Sequence, residues 1–70
     1  MLRWRPRTQS GRDVQRPDID AFLMEIIATC KKHGFSLSHE DGHGAFEVAD
    51  YDDSLAAWLM DASDCTSALP

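Results

Sequence analysis

The sequence predicts a small α+β protein with the element order α-β-β-α, in which two amphipathic helices pack on one face of a β-hairpin. Two observations predict this class. Apolar residues recur at helical spacing in residues 19–30 and 51–62, and they alternate with polar residues in residues 35–48 around an Asp-Gly pair. Because 70 residues form at most one domain, we divide the chain into three parts. These are a basic N-terminal arm at residues 1–17, a single α+β domain at residues 18–63 and a C-terminal tail at residues 64–70.

The N-terminal arm carries five arginines and one aspartate, for a net charge of +4, whereas the remaining residues carry two lysines and eleven acids, for −9. The simplest interpretation is a solvated arm. Leu2 and Trp4 alternate with arginines, however, and also fit an extra N-terminal edge strand beside the hairpin. An alternative function is nucleic-acid binding, with guanidinium groups on phosphates and an indole stacked on a base. The residues of that alternative are Arg3, Trp4, Arg5 and Arg7.

The first helix is predicted to begin after Asp18, a favourable N-cap, and to end at Gly34, which adopts the left-handed conformation easily. Basic side chains in its last turn suit the negative end of the helix dipole. Its apolar side chains fall on one stripe. The stripe consists of Ile19, Phe22, Leu23, Ile26, Ile27 and Cys30.

The hairpin is predicted to turn at Asp41 and Gly42, because a two-residue type I′ turn needs positive φ at both positions. In that register Phe35 lies opposite Val48. Alternation then separates an apolar face from a polar face. The apolar face contains Phe35, Leu37, Phe46 and Val48, and the polar face contains Ser36, Ser38, Glu40, His43, Ala45 and Glu47. A longer loop with Gly44 at a bulge is the competing geometry.

The second helix is predicted to begin at Asp50 and to fray near Ser63. Together the apolar stripes and the apolar hairpin face predict the core: Phe22, Leu23, Ile26, Ile27, Phe35, Leu37, Phe46, Val48, Leu55, Trp58 and Leu59. A lone two-stranded sheet is marginally stable and has two open edges. Either the N-terminal arm adds a strand or two copies pair their edges, and we favour a homodimer.

The hairpin tip, residues 39–43, concentrates imidazoles and carboxylates and suggests metal or acid–base chemistry. The tight turn points His39 and His43 to opposite faces, so they do not share one ion. We therefore predict no catalytic residue, no metal and no cofactor, and keep a small metal or ligand site at the tip as a third alternative. Ser36 and Ser38 form no recognisable triad pattern, and the two cysteines, Cys30 and Cys65, are expected to be reduced thiols.

The sequence contains no long apolar run and no signal peptide, so we expect a cytoplasmic protein with no membrane partner. Its excess of acids suggests a protein that occupies a basic groove of another protein, where complementary charge sets orientation. We expect the contact to run through the polar hairpin face and tip. The residues of this binding hypothesis are Ser38, His39, Glu40, Asp41 and His43.

Residues 19–62 resemble a group of small proteins encoded by bacteriophages and prophages, which share the motif S-H-E-D-x-x-G-A-F. In this chain the motif positions are Ser38, His39, Glu40, Asp41, Gly44, Ala45 and Phe46, followed by Tyr51, Trp58 and Leu59. The group has no assigned activity, so the resemblance transfers no catalytic residue. It implies a small accessory protein, made in the host cytoplasm, that binds a host or phage protein rather than acting as an enzyme.

Overall fold

The computed structural model describes residues 1–6 and 12–67, which form two helices and two antiparallel two-stranded sheets. The predicted α+β class is confirmed. The predicted order α-β-β-α was wrong, because the order is β-β-α-β-β-α. The elements are β1 at Leu2–Arg5, β2 at Arg12–Gln15, α1 at Pro17–His33, β3 at Phe35–His39, β4 at Phe46–Asp50 and α2 at Asp53–Met60.

The N-terminal residues form a hairpin of their own instead of a solvated arm. Strand β1 pairs antiparallel with β2, so that Leu2 lies opposite Gln15. The extra N-terminal strand is therefore present, but it does not extend the β3–β4 sheet as the sequence suggested. The backbone N–H of Asp64 donates to the carbonyl of Trp4 at 2.7 Å, which docks the predicted C-terminal tail on β1.

Helix α1 begins two residues earlier than predicted, with Pro17 in its first turn and Arg16 at the N-cap position. The assignment of Asp18 as the N-cap was therefore wrong. Its C-terminus follows the prediction, because Gly34 has a φ of 78° and its N–H donates to the carbonyl of Cys30 at 2.9 Å. Neither described helix has the length and hydropathy needed to cross a bilayer.

The β3–β4 hairpin is real, but its register is displaced by two residues from the prediction. Leu37 lies opposite Val48, and His39 lies opposite Phe46. The prediction of a two-residue turn was wrong. The competing longer loop is observed at residues 40–45, with Gly44 at a φ of 72°. Because side chains alternate with a period of two, this displacement leaves every residue within the two strands on its predicted face, while Glu40, His43 and Ala45 lie in the loop.

The Glu40 side chain explains the longer loop. Its carboxylate accepts hydrogen bonds from the backbone N–H groups of Gly42 at 2.7 Å and His43 at 2.6 Å. These two bonds supply acceptors for backbone N–H groups at the tip, whereas in a tight turn the acceptors would come from the opposite strand. The loop is therefore stabilised by the side chain of its own first residue.

Helix α2 begins after Asp52, whose Oδ1 accepts a hydrogen bond from the backbone N–H of Ser54 at 2.7 Å. The assignment of Asp50 as this cap was wrong, because Asp50 completes β4. The Asp52 N–H donates in turn to Oγ of Ser36 at 2.8 Å, which fixes the start of the helix on β3.

The predicted core is largely open to solvent. Of the described apolar side chains only Leu23 is fully buried, whereas Phe46 and Val48 are 69% and 61% exposed. The physical reason is that both helices contact β3, while β4 contacts no helix among the described elements. The predicted core residues Phe22, Phe35, Phe46, Val48 and Trp58 are exposed, and Ile26, Ile27, Leu37, Leu55 and Leu59 are half-buried.

The dimensions of the chain agree with this incomplete burial. Its radius of gyration is 13.3 Å, whereas a compact domain of this length has about 11 Å. The principal extents of 37 × 28 × 17 Å describe a flat molecule. A flat molecule has a high ratio of surface to volume, so little apolar area can be removed from water within one chain.

Candidate interaction surface

The hairpin tip holds two separate histidine–carboxylate pairs. Nδ1 of His39 lies 2.5 Å from Oδ1 of Asp41, and Nδ1 of His43 lies 3.2 Å from Oε2 of Glu40. The two imidazoles thus contact different carboxylates. In the described part of the chain, no three side chains of histidine, cysteine, aspartate or glutamate come together as a set of metal ligands. The third alternative, a site at this tip, gains no assembled ligand set from this geometry.

The polar face of β3 is covered by α2, whereas Glu47 on the same face of β4 is exposed. Ser36 is only 2% exposed, because it lies under the start of α2, and Ser38 on the same face is half-buried. Of the residues proposed for binding, His39, Asp41 and His43 are exposed at the tip, whereas Glu40 is half-buried. The binding surface that the sequence predicted is therefore available at the tip but not along the polar face of β3.

The apolar face is the open one, which the sequence analysis assigned to the core. Phe35, Phe46 and Val48 are all more than half exposed on this face. Helix α1 borders the face along β3 and leaves a groove of about 310 Å³. The groove is lined by Ile26, Thr29, Cys30, His33, Phe35, Leu37 and Val48.

Charge is distributed unevenly around this groove. After Lys32 the sequence contains no lysine or arginine and eight acids. One of them, Asp64, pairs with arginines of the N-terminal hairpin and the α1 N-cap. The others belong to the hairpin and α2 half of the molecule, where Glu47, Asp50 and Asp53 are exposed. The β3–β4 side of the open apolar face is thus anionic, whereas the last turn of α1 on the other side of the groove carries Lys31, Lys32 and His33.

Two arginines of β1, Arg3 and Arg5, point inward. Arg3 donates to the carbonyls of Met60 at 2.7 Å and Ala62 at 2.8 Å, and it also pairs with Asp20. Carbonyls at the end of a helix have no partner within the helix. Since α2 has no basic residue in its last turn, Arg3 supplies the positive charge that this end lacks.

Arg5 and Arg16 converge on Asp64. Oδ2 of Asp64 lies 2.8 Å from Nη1 of Arg5 and 2.6 Å from Nη1 of Arg16. Hydrogen bonds from the Thr66 hydroxyl and backbone N–H, together with the charges of the two arginines, lower the pKa of Asp64 to about 2, although burial opposes this shift. Arg16 also binds Asp18, which raises the pKa of the Arg16 guanidinium.

The nucleic-acid alternative receives no support from these contacts. Arg3 and Arg5 are almost fully buried and bind groups of the protein itself, so their guanidinium groups do not face solvent. Trp4 is about half exposed. Arg7 lies outside the described residues.

Comparisons of this chain with protein-family models, with curated proteins and with solved structures find no match. The functional argument therefore depends on the chemistry of the surface itself. Sequence reasoning placed the apolar face correctly but interpreted it as core, because alternation shows which side chains share a face and not whether another element covers that face.

Proposed function

We propose that this protein is a non-enzymatic binding module that docks on a basic surface of a protein partner through the apolar face of its β3–β4 hairpin. The exposure of Phe35, Phe46 and Val48 on one face carries this proposal. Small proteins rarely leave a contiguous apolar face in water, and such faces mark interaction sites. The groove beside α1 is a concave pocket that could bind an apolar side chain of the partner.

The charge of the surrounding half indicates the chemistry of the partner. The hairpin and α2 carry seven acids outside the Asp64 cluster and no lysine or arginine. A partner with an apolar contact region bordered by lysines or arginines would be attracted and oriented by this charge. The exposed tip residues His39, Asp41 and His43 would lie at the rim of the contact. The resemblance to phage-encoded proteins favours a host or phage protein as this partner.

A capture experiment with matched variants tests the proposal. The protein is immobilised and exposed to bacterial host lysate, as wild type, as Phe46→Ser and as Trp4→Ser. Both replaced side chains are large, aromatic and about half exposed or more, but they lie on different sheets. We expect specific proteins that wild type and Trp4→Ser retain and that Phe46→Ser loses. Retention should also fall as salt is raised, because salt screens attraction between exposed charges.

Two results would contradict the proposal. Identical capture by all three forms would show that the apolar face makes no specific contact. Capture that disappears after nuclease treatment would show binding through nucleic acid, and the alternative that includes Arg3, Trp4, Arg5 and Arg7 would then replace it. Circular dichroism of each variant shows whether the fold is retained.

A further inference from the structure

The outer edge of β4 offers unpaired backbone groups. The N–H of Glu40 donates to the carbonyl of Ala45, and the N–H of Tyr51 donates to the carbonyl of Gly34, each at 2.9 Å. Residues that face each other in an antiparallel ladder alternate between bonded and non-bonded pairs. These two bonds therefore fix which pairs of the β3–β4 ladder are bonded. The backbone groups of Glu47 and Ala49 bond to β3, and those of Val48 between them do not.

The N–H and C=O groups of Phe46, Val48 and Asp50 consequently point away from β3. None of them bonds to another backbone group within residues 1–6 and 12–67. No helix contacts β4 in that part of the chain, so the approach to this edge is open. An exposed edge with an apolar face is a template for another strand.

We infer that a second copy of this chain covers the edge, with the two β4 strands antiparallel and Val48 opposite its own counterpart. In this arrangement Phe46 lies opposite Asp50 of the second copy, and all three residues with free backbone groups take part. Six interchain backbone hydrogen bonds form: two at the central pair and two at each flanking pair. The result is a four-stranded sheet.

The side chains select this register over its neighbours. A ladder centred on Glu47 would place that carboxylate opposite itself, and like charges directly opposite are destabilising. A ladder centred on Ala49 would leave Phe46 with no strand residue opposite it. The ladder centred on Val48 pairs Glu47 with Ala49 and places no two acids directly opposite each other.

The surface area of one chain fits this arrangement. A compact monomer of 7.9 kDa exposes about 4,400 Å², whereas this chain exposes 5035 Å². The excess of about 600 Å² shows that one chain leaves more surface in water than a compact monomer does, and pairing of the two β4 edges covers part of it. Four strands also exceed the three that give a sheet independent stability, which a lone hairpin lacks.

The inferred dimer is independent of the proposed function, because it uses the edge of β4 while partner binding uses the apolar face. The two apolar faces would lie side by side on one sheet and remain open. Salt separates the two associations. Raising the ionic strength screens repulsion between two anionic copies and strengthens the dimer, whereas it weakens binding to a basic partner.

Disulfide cross-linking tests the register. In a Cys30→Ala, Cys65→Ser background, Val48→Cys should oxidise to a covalent dimer. Opposed residues of a bonded pair have Cα atoms about 5.5 Å apart, and that separation suits a disulfide. Phe46→Cys alone should stay monomeric on denaturing gels, because its counterpart lies four residues along the strand, about 13 Å away. Mixed with Asp50→Cys, it should give a heterodimer. Cross-linking of Phe46→Cys alone to the same extent, or no cross-linking of Val48→Cys, would overturn the inference.

Sedimentation of Val48→Pro tests the edge itself. The Val48 N–H serves no bond within the chain, so proline should preserve the fold, as proline does on edge strands. We expect the wild-type mass to be twice 7.9 kDa and the variant mass to fall two-fold, with unchanged circular dichroism. A wild type that stays at 7.9 kDa at all concentrations would overturn the inference and leave the capture experiment unaffected.

Discussion

The guanidinium group of Arg5 donates a hydrogen bond of 2.8 Å to the carboxylate of Asp64, across 59 positions of the sequence. Both side chains are almost fully buried, and Arg16 binds the same carboxylate from the start of α1. The contact between the N-terminal hairpin and residues 60–66 is thus built from charges, while the largest apolar side chains face solvent. Removing one partner of such a cluster leaves an uncompensated buried charge, which is strongly destabilising.

Stability should depend on acid pH through Asp64. Its pKa in the folded protein, about 2, lies below its ordinary value of 3.8. The stabilisation is therefore complete above about pH 4 and is lost as the pH falls toward 2. The pKa values of Asp18 and Asp20 are lowered as well, by their arginine partners, and act in the same direction. We expect the urea midpoint to fall steeply between pH 4 and pH 2.

The matched variants for this measurement are Asp64→Asn and Asp61→Asn. Asp64→Asn should have a lower midpoint at pH 7 and a flatter pH dependence, because the depressed pKa is gone. Asp61 is exposed, so its variant should follow the wild-type curve. Equal pH slopes for Asp64→Asn and wild type would show that the cluster does not govern acid stability.

Two neighbouring residues on α1 test the distribution of burial. Leu23→Ala should lower the free energy of unfolding by about 2–5 kcal/mol, because it empties a buried site. Phe22→Ala, at a side chain that is 60% exposed, should change it by about 0.5 kcal/mol or less in the monomer. Chemical denaturation at low protein concentration measures both. A larger loss of unfolding free energy for Phe22→Ala than for Leu23→Ala would show that the core lies on the side of α1 that carries Phe22.

Ser36→Ala should destabilise the contact between α2 and β3. The Ser36 hydroxyl accepts from the Asp52 N–H at the start of the helix, and the loss of a buried acceptor costs about 1–3 kcal/mol. Ser38→Ala, on the same face of β3 but less buried, is the control and should cost less. Amide exchange at Asp52 gives a local readout, and unchanged protection there in Ser36→Ala would contradict this role.

Gly34→Ala should cost about 1–2 kcal/mol, the usual penalty for a left-handed residue that carries a Cβ atom. An added Cβ would meet no atom within 4 Å, so the cost comes from the backbone alone. Gly34→Asn should cost less, because asparagine tolerates this conformation. Thermal unfolding distinguishes the two variants. Equal losses would point to a steric cause instead.

The local parts of the fold were predictable from the sequence. The end of α1 at Gly34 and the faces of the β3–β4 hairpin follow from residue chemistry within a few positions. The loop at residues 40–45 was not predictable in the same way. The Asp-Gly pair favours a tight turn, and the carboxylate of Glu40 overrides that preference by bonding to the loop backbone.

The N-terminal hairpin and the candidate site could not be predicted because each depends on distant groups. Leu2 and Trp4 alternate with Arg3 and Arg5, and apolar residues usually face inward. Here the arginines face inward, because they bind Asp20, Asp64 and the carbonyl of Ala62 beyond α2. The apolar hairpin face was equally clear in the sequence. No local pattern shows that both helices cover β3 and leave β4 bare.

The Arg5–Asp64 contact also sets the order of events during synthesis on the ribosome. Arg3, Arg5 and Arg16 emerge from the exit tunnel long before Asp64 and Thr66, the groups that neutralise and anchor two of them. The nascent N-terminal hairpin therefore lacks its contact with the Asp64 carboxylate until residue 64 leaves the tunnel. Native docking of this hairpin therefore follows the emergence of residues 64–66 from the tunnel, and a translational pause before that point would hold the hairpin undocked.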